Sequence, residues 1–160
     1  RDFIKKNKIE DLVFVLGGGH WEEFISILDN EINELSTYKD KIIKIGYVDD
    51  KDLAPLYSGA EWFVYTSMYE GFGLPPLEAM SCGCPVITSN TSSLPEVTGD
   101  AGIMINYDSD IEHIKAYEDY YYNHDLRENN KIKGLERAKD FSWDKCAKLM
   151  IDSIIKFRNQ

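Results

Sequence analysis

The sequence has no apolar run approaching the ~20 residues a membrane-spanning helix needs, so none of its helices is expected to cross a bilayer. It also has no surplus of positive charge. Twenty-eight acidic residues against 18 basic ones leave a formal charge of −10, which argues against nucleic acid as a partner and against direct contact with an anionic membrane. An anionic small ligand is not excluded by that balance, because a helix end can hold a phosphate within an acidic protein. Cysteine is scarce at three residues. The count is odd, and Cys82 and Cys84 are separated by a single glycine, which points to a reducing cytosol rather than a disulfide framework. Cys82-Gly-Cys84 could start a metal site, but no His or second Cys pair is spaced to complete one, and small packing residues are the better reading. His20, His113 and His124 stand in polar surroundings with no Ser or carboxylate at triad spacing, and read as surface residues. No secretory signal pattern opens the chain. It begins at Arg1 rather than Met, which leads to the expectation that an upstream part is not included.

What is present suits one globular domain. At 160 residues with 43% hydrophobic content, such a chain buries about 70% of its unfolded surface. Phe3 and Ile4 sit in what reads as the tail of a helix, and Leu12–Leu16 reads as a buried strand. Gly17-Gly-Gly19 follows it, but Glu22 stands where a dinucleotide fingerprint needs its third glycine, so a generic tight turn is favoured over a phosphate-binding one. Trp21, Phe24, Ile25, Leu28, Ile32 and Leu35 recur at helical spacing and predict an amphipathic core helix over 21–38. Ile42–Ile45 is the next strand, after which Asp49 or Asp50 is placed to cap a helix.

The informative stretch runs from Tyr65 to Thr88. Trp62–Thr66 reads as a strand buried on both faces, and it ends in a loop with Glu70, Gly71 and Gly73. A helix then opens on Pro75-Pro76 and closes at Gly83, the usual punctuation, before a strand at Pro85–Thr88. This is a parallel crossover with its loop at the strand's carboxyl end, where ligands of such sheets bind. Gly71 and Gly73 are expected to adopt positive φ and allow close approach to a ligand. The helix behind them is expected to aim free N–H groups and partial positive charge at a phosphate. Glu70 and Glu78, before the loop and about one turn into the helix, can face one cavity. Ionised carboxylates only accept hydrogen bonds, which suits the vicinal hydroxyls of a sugar. Phosphates in the middle and hydroxyls at both ends describe a nucleotide-sugar.

Farther on, Asn90, Thr91, Ser92 and Ser93 are open to two readings, facing sugar and phosphates or lying as solvated turn residues. Ile103–Asn106 reads as the last strand, followed by helices over 111–123 and 125–139. The Tyr120-Tyr-Tyr122 cluster has acidic neighbours, Glu118 and Asp119, and reads as packing rather than a base-stacking platform. Ser142 is a candidate N-cap for a closing helix whose inner stripe is Trp143, Cys146, Ala147, Met150, Ile154 and Phe157.

Glu70-Gly-Phe-Gly-Leu-Pro-Pro-Leu-Glu78 resembles the E-x7-E motif of retaining glycosyltransferases of the GT-B fold. The likeness extends through Gly46–Leu53, Leu56–Ala60, Glu78–Ile87, Ser92–Val97, Gly99–Gly102 and Phe141–Trp143, nearly the whole chain. It implies an α/β fold, a Rossmann-like parallel sheet flanked by helices, corresponding to the C-terminal, nucleotide-sugar-binding half of a GT-B enzyme. The implied roles are Glu78 on the ribose hydroxyls and Glu70 on the sugar. Backbone around Gly71, Phe72, Gly73 and Leu74 would contact sugar and phosphate. Tyr47 and Val48 would lie against the base, although from sequence alone a capped loop with an exposed Tyr serves as well. Neither cofactor nor metal is implied beyond the nucleotide-sugar substrate. The family's last helix crosses back toward its partner domain, and its usual task is saccharide assembly on a lipid or polysaccharide in the cytoplasm, in places at the inner membrane face.

The resemblance also marks two departures. An acceptor-binding N-terminal domain is expected to lie outside this sequence, and so are the family's first strand and the Arg/Lys loop that holds the diphosphate. Arg1 lies too close to Leu12 to be that arginine, and Lys5, Lys6 and Lys8 read as helix tail. In the family's strand order, 3-2-1-4-5-6, the missing strand would be central and would leave its two neighbours with unpaired edges. The alternatives to a transferase half are a non-catalytic nucleotide or sugar-phosphate module, and a non-binding interaction domain that kept the fold.

Overall fold

The computed structural model describes residues 2–7, 9–19, 22–34 and 36–158, following only the backbone at 5, 22–25, 36 and 37. Arg1, Lys8, His20, Trp21 and Leu35, and the side chains of Phe24 and Ile25, therefore lie outside the described residues. The chain divides into two units, Arg1–Pro55 and Leu56–Gln160.

In the first unit, α1 (Asp2–Asn7) buries Phe3 and Ile4 as expected. Strands β1 (Phe14–Gly17) and β2 (Ile42–Gly46) pair in parallel, from Phe14 opposite Ile42 to Gly17 opposite Gly46. Helix α2 spans Glu22–Glu34, and a 3₁₀ stretch spans Ser36–Lys41. The expected helix to 38 thus stops early, where a serine–threonine pair favours non-helical backbone. β1 is not the buried strand its apolar run predicts: Val13 is 50% and Val15 42% exposed. An apolar run states a demand for cover without supplying the element that meets it, and among the described residues β1 pairs only with β2.

In the second unit, β3 (Phe63–Tyr65), β4 (Val86–Ser89) and β5 (Gly102–Ile105) form a parallel sheet in that order. Among the described residues no ladder joins it to β1–β2. The central strand β4 is buried throughout, whereas β3 is only half-buried, against the two-sided burial expected of it. β3 is the edge of its sheet, so its neighbours cover less of it. Around the sheet come α4 (Leu74–Ser81), α5 (Leu94–Thr98), α6 (Asp110–Tyr122), α7 (His124–Ala138) and α8 (Trp143–Arg158). Helix α3 (Asp50–Gly59) carries the chain across the division between the units, with Asp49 just before it.

The core of this unit has two sides. On one, Ile87, Ile105, Ala116 and Tyr120 pack with Trp62, Val64 and Ile103. Full burial of such side chains is worth about 1.5–3 kcal/mol each. On the other, Ala79, Met80, Leu94 and Val97 are buried beneath α4 and α5. Gly134 lets α7 approach α4, since a Cβ there would meet Met80 Cγ at 3.2 Å. Tyr120 joins helix to sheet: its hydroxyl donates to Val86 O at 3.0 Å and accepts from Asn130 Nδ2 at 2.9 Å. The Tyr120 part of the aromatic cluster is therefore packing, while Tyr122 is exposed. Ser109 and Asn123 cap α6 and α7, and Ser142 accepts from Lys145 N–H at 3.1 Å, the expected cap of α8.

Helix α8 departs from expectation. None of its residues is buried, and Trp143 (80%) and Phe157 (83%) are largely exposed, as are Cys146, Ala147, Met150 and Ile154. Helical periodicity identifies the face that seeks cover and says nothing of what provides it.

Candidate functional site

β3 ends at Tyr65, and the loop 66–73 leads from it into α4. Glu70 lies half-buried in this loop. Its Oε1 accepts a hydrogen bond from the Tyr65 hydroxyl at 2.7 Å. Its backbone is held from the loop after β4. Ser92 Oγ donates to Glu70 O at 2.6 Å and accepts from Glu70 N–H at 3.2 Å, and Ser93 Oγ donates to the same carbonyl at 3.1 Å. Just upstream, Ser89 Oγ donates to Ser67 O at 2.5 Å, and Thr91 Oγ1 to Met68 O at 3.1 Å. The hydroxyls of Thr91, Ser92 and Ser93, for which sequence left sugar contact or solvation open, are thus engaged with the loop carrying Glu70. Ser92 adopts φ 56°, the left-handed region that side chains other than glycine enter at a cost.

The two glycines differ. Gly73 has φ 109° and is the N-cap residue of α4; a Cβ there would lie 2.8 Å from Leu94 Cδ2. Gly71, expected to share this conformation, is not among the positive-φ residues. What distinguishes it is open space, with nothing within 4 Å of where a Cβ would stand. Its value lies in access rather than in backbone geometry.

The mouth of α4 is also poorer in amides than expected. Leu74 is the first helical residue, Pro75 and Pro76 have no N–H, and the Leu77 N–H is bonded to Gly73 O at 3.3 Å. Leu74 is therefore the first-turn position left to offer an N–H outward. The same prolines that punctuate the helix remove most of the anion-binding capacity assigned to it. Gly83, past the far end, takes φ 73°, as helix closure requires. Phe72 (43% exposed) packs edge-on against Phe141 at 5.8 Å between centroids, and the Arg137 guanidinium lies over Phe141 at 4.9 Å. Leu74 is 45% exposed.

Glu78 is an exposed residue of α4, and its charge acts on the phenol of Tyr57. Tyr57 is only 7% exposed. Burial, then the Glu78 charge, push its phenol up to about 12. Burial and the Glu70 hydrogen bond likewise raise the Tyr65 phenol. Phe63 lies between the two tyrosines, edge-on to Tyr57 at 5.1 Å and stacked on Tyr65 at 5.8 Å. Phe63 and Tyr65, two apart on a strand, share a face of the sheet. Tyr57, Phe63, Tyr65 and Glu70 thus form one connected series, with the Glu78 charge acting on its Tyr57 end. Sequence marked neither tyrosine as a support of the glutamates, and left Ser92 open between facing the sugar and lying solvated. Their types carry no motif, and only the fold brings them to the glutamates.

Tyr47 and Val48 belong to the first unit. Tyr47 is 67% exposed just after β2, and Val48 is half-buried, its Cγ2 3.4 Å from where a Gly17 Cβ would stand. Gly46, which ends β2, has φ 66° and accepts from Gly18 N–H at 2.8 Å. The glycine turn and the Tyr47–Val48 segment therefore adjoin at the carboxyl ends of β1 and β2. Elsewhere, Cys84 is buried and its thiol is pushed up to about 12 by desolvation, a packing residue as expected; Cys82 is half-buried. His124 is exposed. His113 is not the surface residue expected: it is half-buried, with Nδ1 3.2 Å from Tyr117 Oη and Nε2 3.1 Å from Tyr107 O.

Residues 2–135 match the family described as Glycosyl transferases group 1. O-antigen chain mannosyltransferase B of Escherichia coli is 47% identical over 124 residues, covering 77% of this chain and 32% of the relative. O-antigen chain mannosyltransferase RfbU of Salmonella typhimurium is 34% identical over 112 residues, covering 68% of this chain and 31% of the relative. The chain thus spans about a third of the length of these relatives. Among solved structures, Anabaena HepE in complex with UDP and glucose shares the fold with a TM-score of 0.84 at 16% identity, covering 96% of this chain and 44% of that one. The C-terminal domain of LpcC, a group 1 family protein of Francisella tularensis, gives 0.74 at 25% identity, covering 87% and 74%. The α/β architecture of parallel sheets and flanking helices is that of the GT-B glycosyltransferases. The chain belongs to the group 1 glycosyl transferases.

Proposed function

We propose that this chain is the donor-binding half of a retaining, metal-independent glycosyltransferase that moves a sugar from a nucleotide-sugar to a saccharide or lipid-linked acceptor. The observation that carries the reading is the placement of the two acids of the E-x7-E motif: Glu70 held by the Tyr65 hydroxyl in the loop after β3, and Glu78 exposed on α4 with its charge acting on Tyr57. Glu78 accepts from the ribose hydroxyls. Glu70 orients the sugar and offers negative charge as positive charge develops at the anomeric carbon, a use of fixed electrostatics that lowers the barrier. The backbone of Gly71, Phe72, Gly73 and Leu74 borders sugar and phosphate, and the open space at Gly71 supports this. Tyr47 and Val48 border the base. With two prolines in the first turn of α4, most of the diphosphate charge falls to groups outside this loop, in keeping with an Arg/Lys loop on the family's preceding strand.

Mannose is the sugar named for the E. coli and Salmonella relatives, and UDP and glucose are the ligands named for the Anabaena neighbour; they make GDP-mannose and UDP-glucose the first donors to test. The exposed stripe of α8 supports a partner domain that binds the acceptor. No described helix is long and apolar enough to cross a membrane. We place the enzyme in the cytoplasm, reaching the inner membrane face through that partner domain, in polysaccharide or glycolipid assembly. The test is a screen of UDP-, GDP- and ADP-sugars on the full-length protein with EDTA present, following thermal shift, nucleotide release and the anomeric configuration of the product. The reading predicts all three for one donor, with configuration retained. A shift without release favours a binding module, and an inverted product or loss of turnover in EDTA refutes the stated chemistry.

A further inference from the structure

We propose that Tyr65 is a positioning residue of the donor site, part of an aromatic rail braced by Phe63 and Tyr57, that sets Glu70 for the sugar. This rests on the role just given to Glu70. A glutamate side chain on a loop or an exposed helix face has three rotatable bonds, and a single sugar hydroxyl is a weak constraint on it. A tyrosine has two such bonds, and both of these rings are held in place. Tyr65 is mounted on β3 and stacked on Phe63, and Phe63 meets the buried Tyr57 edge-on. Supporting a loop group from strand and helix residues is what fixes a site to the fraction of an ångström that binding needs.

The hydrogen-bond arithmetic fits. Tyr65 occupies Glu70 Oε1 at 2.7 Å, leaving the other oxygen, and spare lone pairs on the first, for sugar hydroxyls. The Tyr65 phenol has its pKa raised, so at neutral pH it keeps its proton and remains a hydrogen-bond donor. The Ser92 and Ser93 hydroxyls fix the Glu70 backbone independently, so Tyr65 governs the direction of the side chain. That support acts on the sugar and not on the ribose that nucleotide and nucleotide-sugar share.

The test uses Tyr65→Phe in the full-length protein. The change keeps the ring and its packing and removes only the hydroxyl, and far-ultraviolet dichroism checks the fold. Calorimetry measures Kd for GDP-mannose against GDP and for UDP-glucose against UDP, taking the pair that binds the wild type more tightly. Tyr65→Phe is expected to weaken the nucleotide-sugar about fivefold or more, the loss of one hydrogen bond to a charged group, and to leave the free nucleotide unchanged. General loosening of the site would not produce that split. If Tyr65→Phe weakens both equally, or does not differ from wild type, the rail is refuted. Glu70→Gln separates the two levels of failure: a normal Tyr65→Phe beside an impaired Glu70→Gln overturns the rail and leaves the donor site standing. If Glu70→Gln is also normal, or no probe binds the wild type, the donor reading falls and the rail with it.

Discussion

Ser92 offers a way to weigh backbone strain against hydrogen bonding beside the site. It adopts φ 56° without being glycine, and its hydroxyl bonds both the carbonyl and the N–H of Glu70. Ser92→Ala removes two hydrogen bonds at about 0.5–1.5 kcal/mol each and keeps the strained backbone, so a loss of about 1–3 kcal/mol is expected. Ser92→Gly removes the same bonds but relieves about 1–2 kcal/mol of left-handed strain. That gain is offset by roughly 0.5–1 kcal/mol for the greater freedom of an unfolded glycine. Glycine is therefore expected to be more stable than alanine here, by up to about 1 kcal/mol, the reverse of the order in a helix or strand. Urea unfolding of the three proteins measures this, with the midpoints compared at constant slope. Both variants leave the Glu70 backbone held by Ser93 alone, so both should also weaken nucleotide-sugar binding, whichever is the more stable. An alanine variant at least as stable as the glycine variant would refute the strain. One as stable as wild type would show that the Ser92 bonds add nothing.

Gly102→Ala places a Cβ 2.7 Å from both Val86 O and Val86 Cγ2, and 2.9 Å from Thr98 Cγ2; a loss of about 1–3 kcal/mol or more is expected from this overpacking, read as a lowered Tm. Gly73→Ala should be destabilising through φ 109° and the Leu94 contact at 2.8 Å together, and unfolding midpoints test it. Tyr120→Phe leaves the Asn130 amide without its acceptor and is expected to cost about 1–3 kcal/mol. The Tyr120 phenol, fully buried, is pushed from 10 up to about 12, mainly by desolvation. The folded chain then holds a proton that the unfolded chain releases above pH 10. The associated stability, about 2–3 kcal/mol, is complete below pH 10 and is lost as pH rises toward 12. Unfolding followed between pH 9 and 12 should show this decline, and less of it in Tyr120→Phe.

Local punctuation was the most legible part of the fold. Pro75-Pro76 and Gly83 bracket α4, Ser142 caps α8, and the strand–loop–helix–strand order of the Tyr65–Thr88 stretch is as its residues dictate. These are effects of a residue on its own backbone, which is why sequence reveals them. Burial was less legible. Val15 and Ile154 belong to apolar patterns yet stand exposed, because pattern encodes a requirement and the covering element lies elsewhere. The supports of Glu70 could not be read at all. Tyr65 and Ser92 lie 5 and 22 residues from the glutamate they hold, at no spacing that local rules recognise. The amide-poor mouth of α4 was a different kind of miss: Pro75 and Pro76 were recognised as helix openers, and their missing N–H groups follow from the same fact.

The most direct check on the assignment of the E-x7-E acids is calorimetric titration of the full-length protein with its nucleotide-sugar, wild type against Glu78→Ala. With a carboxylate on the ribose hydroxyls, Kd should rise at least about tenfold. An unchanged Kd would contradict the account, however well the rest of the fold agrees with it.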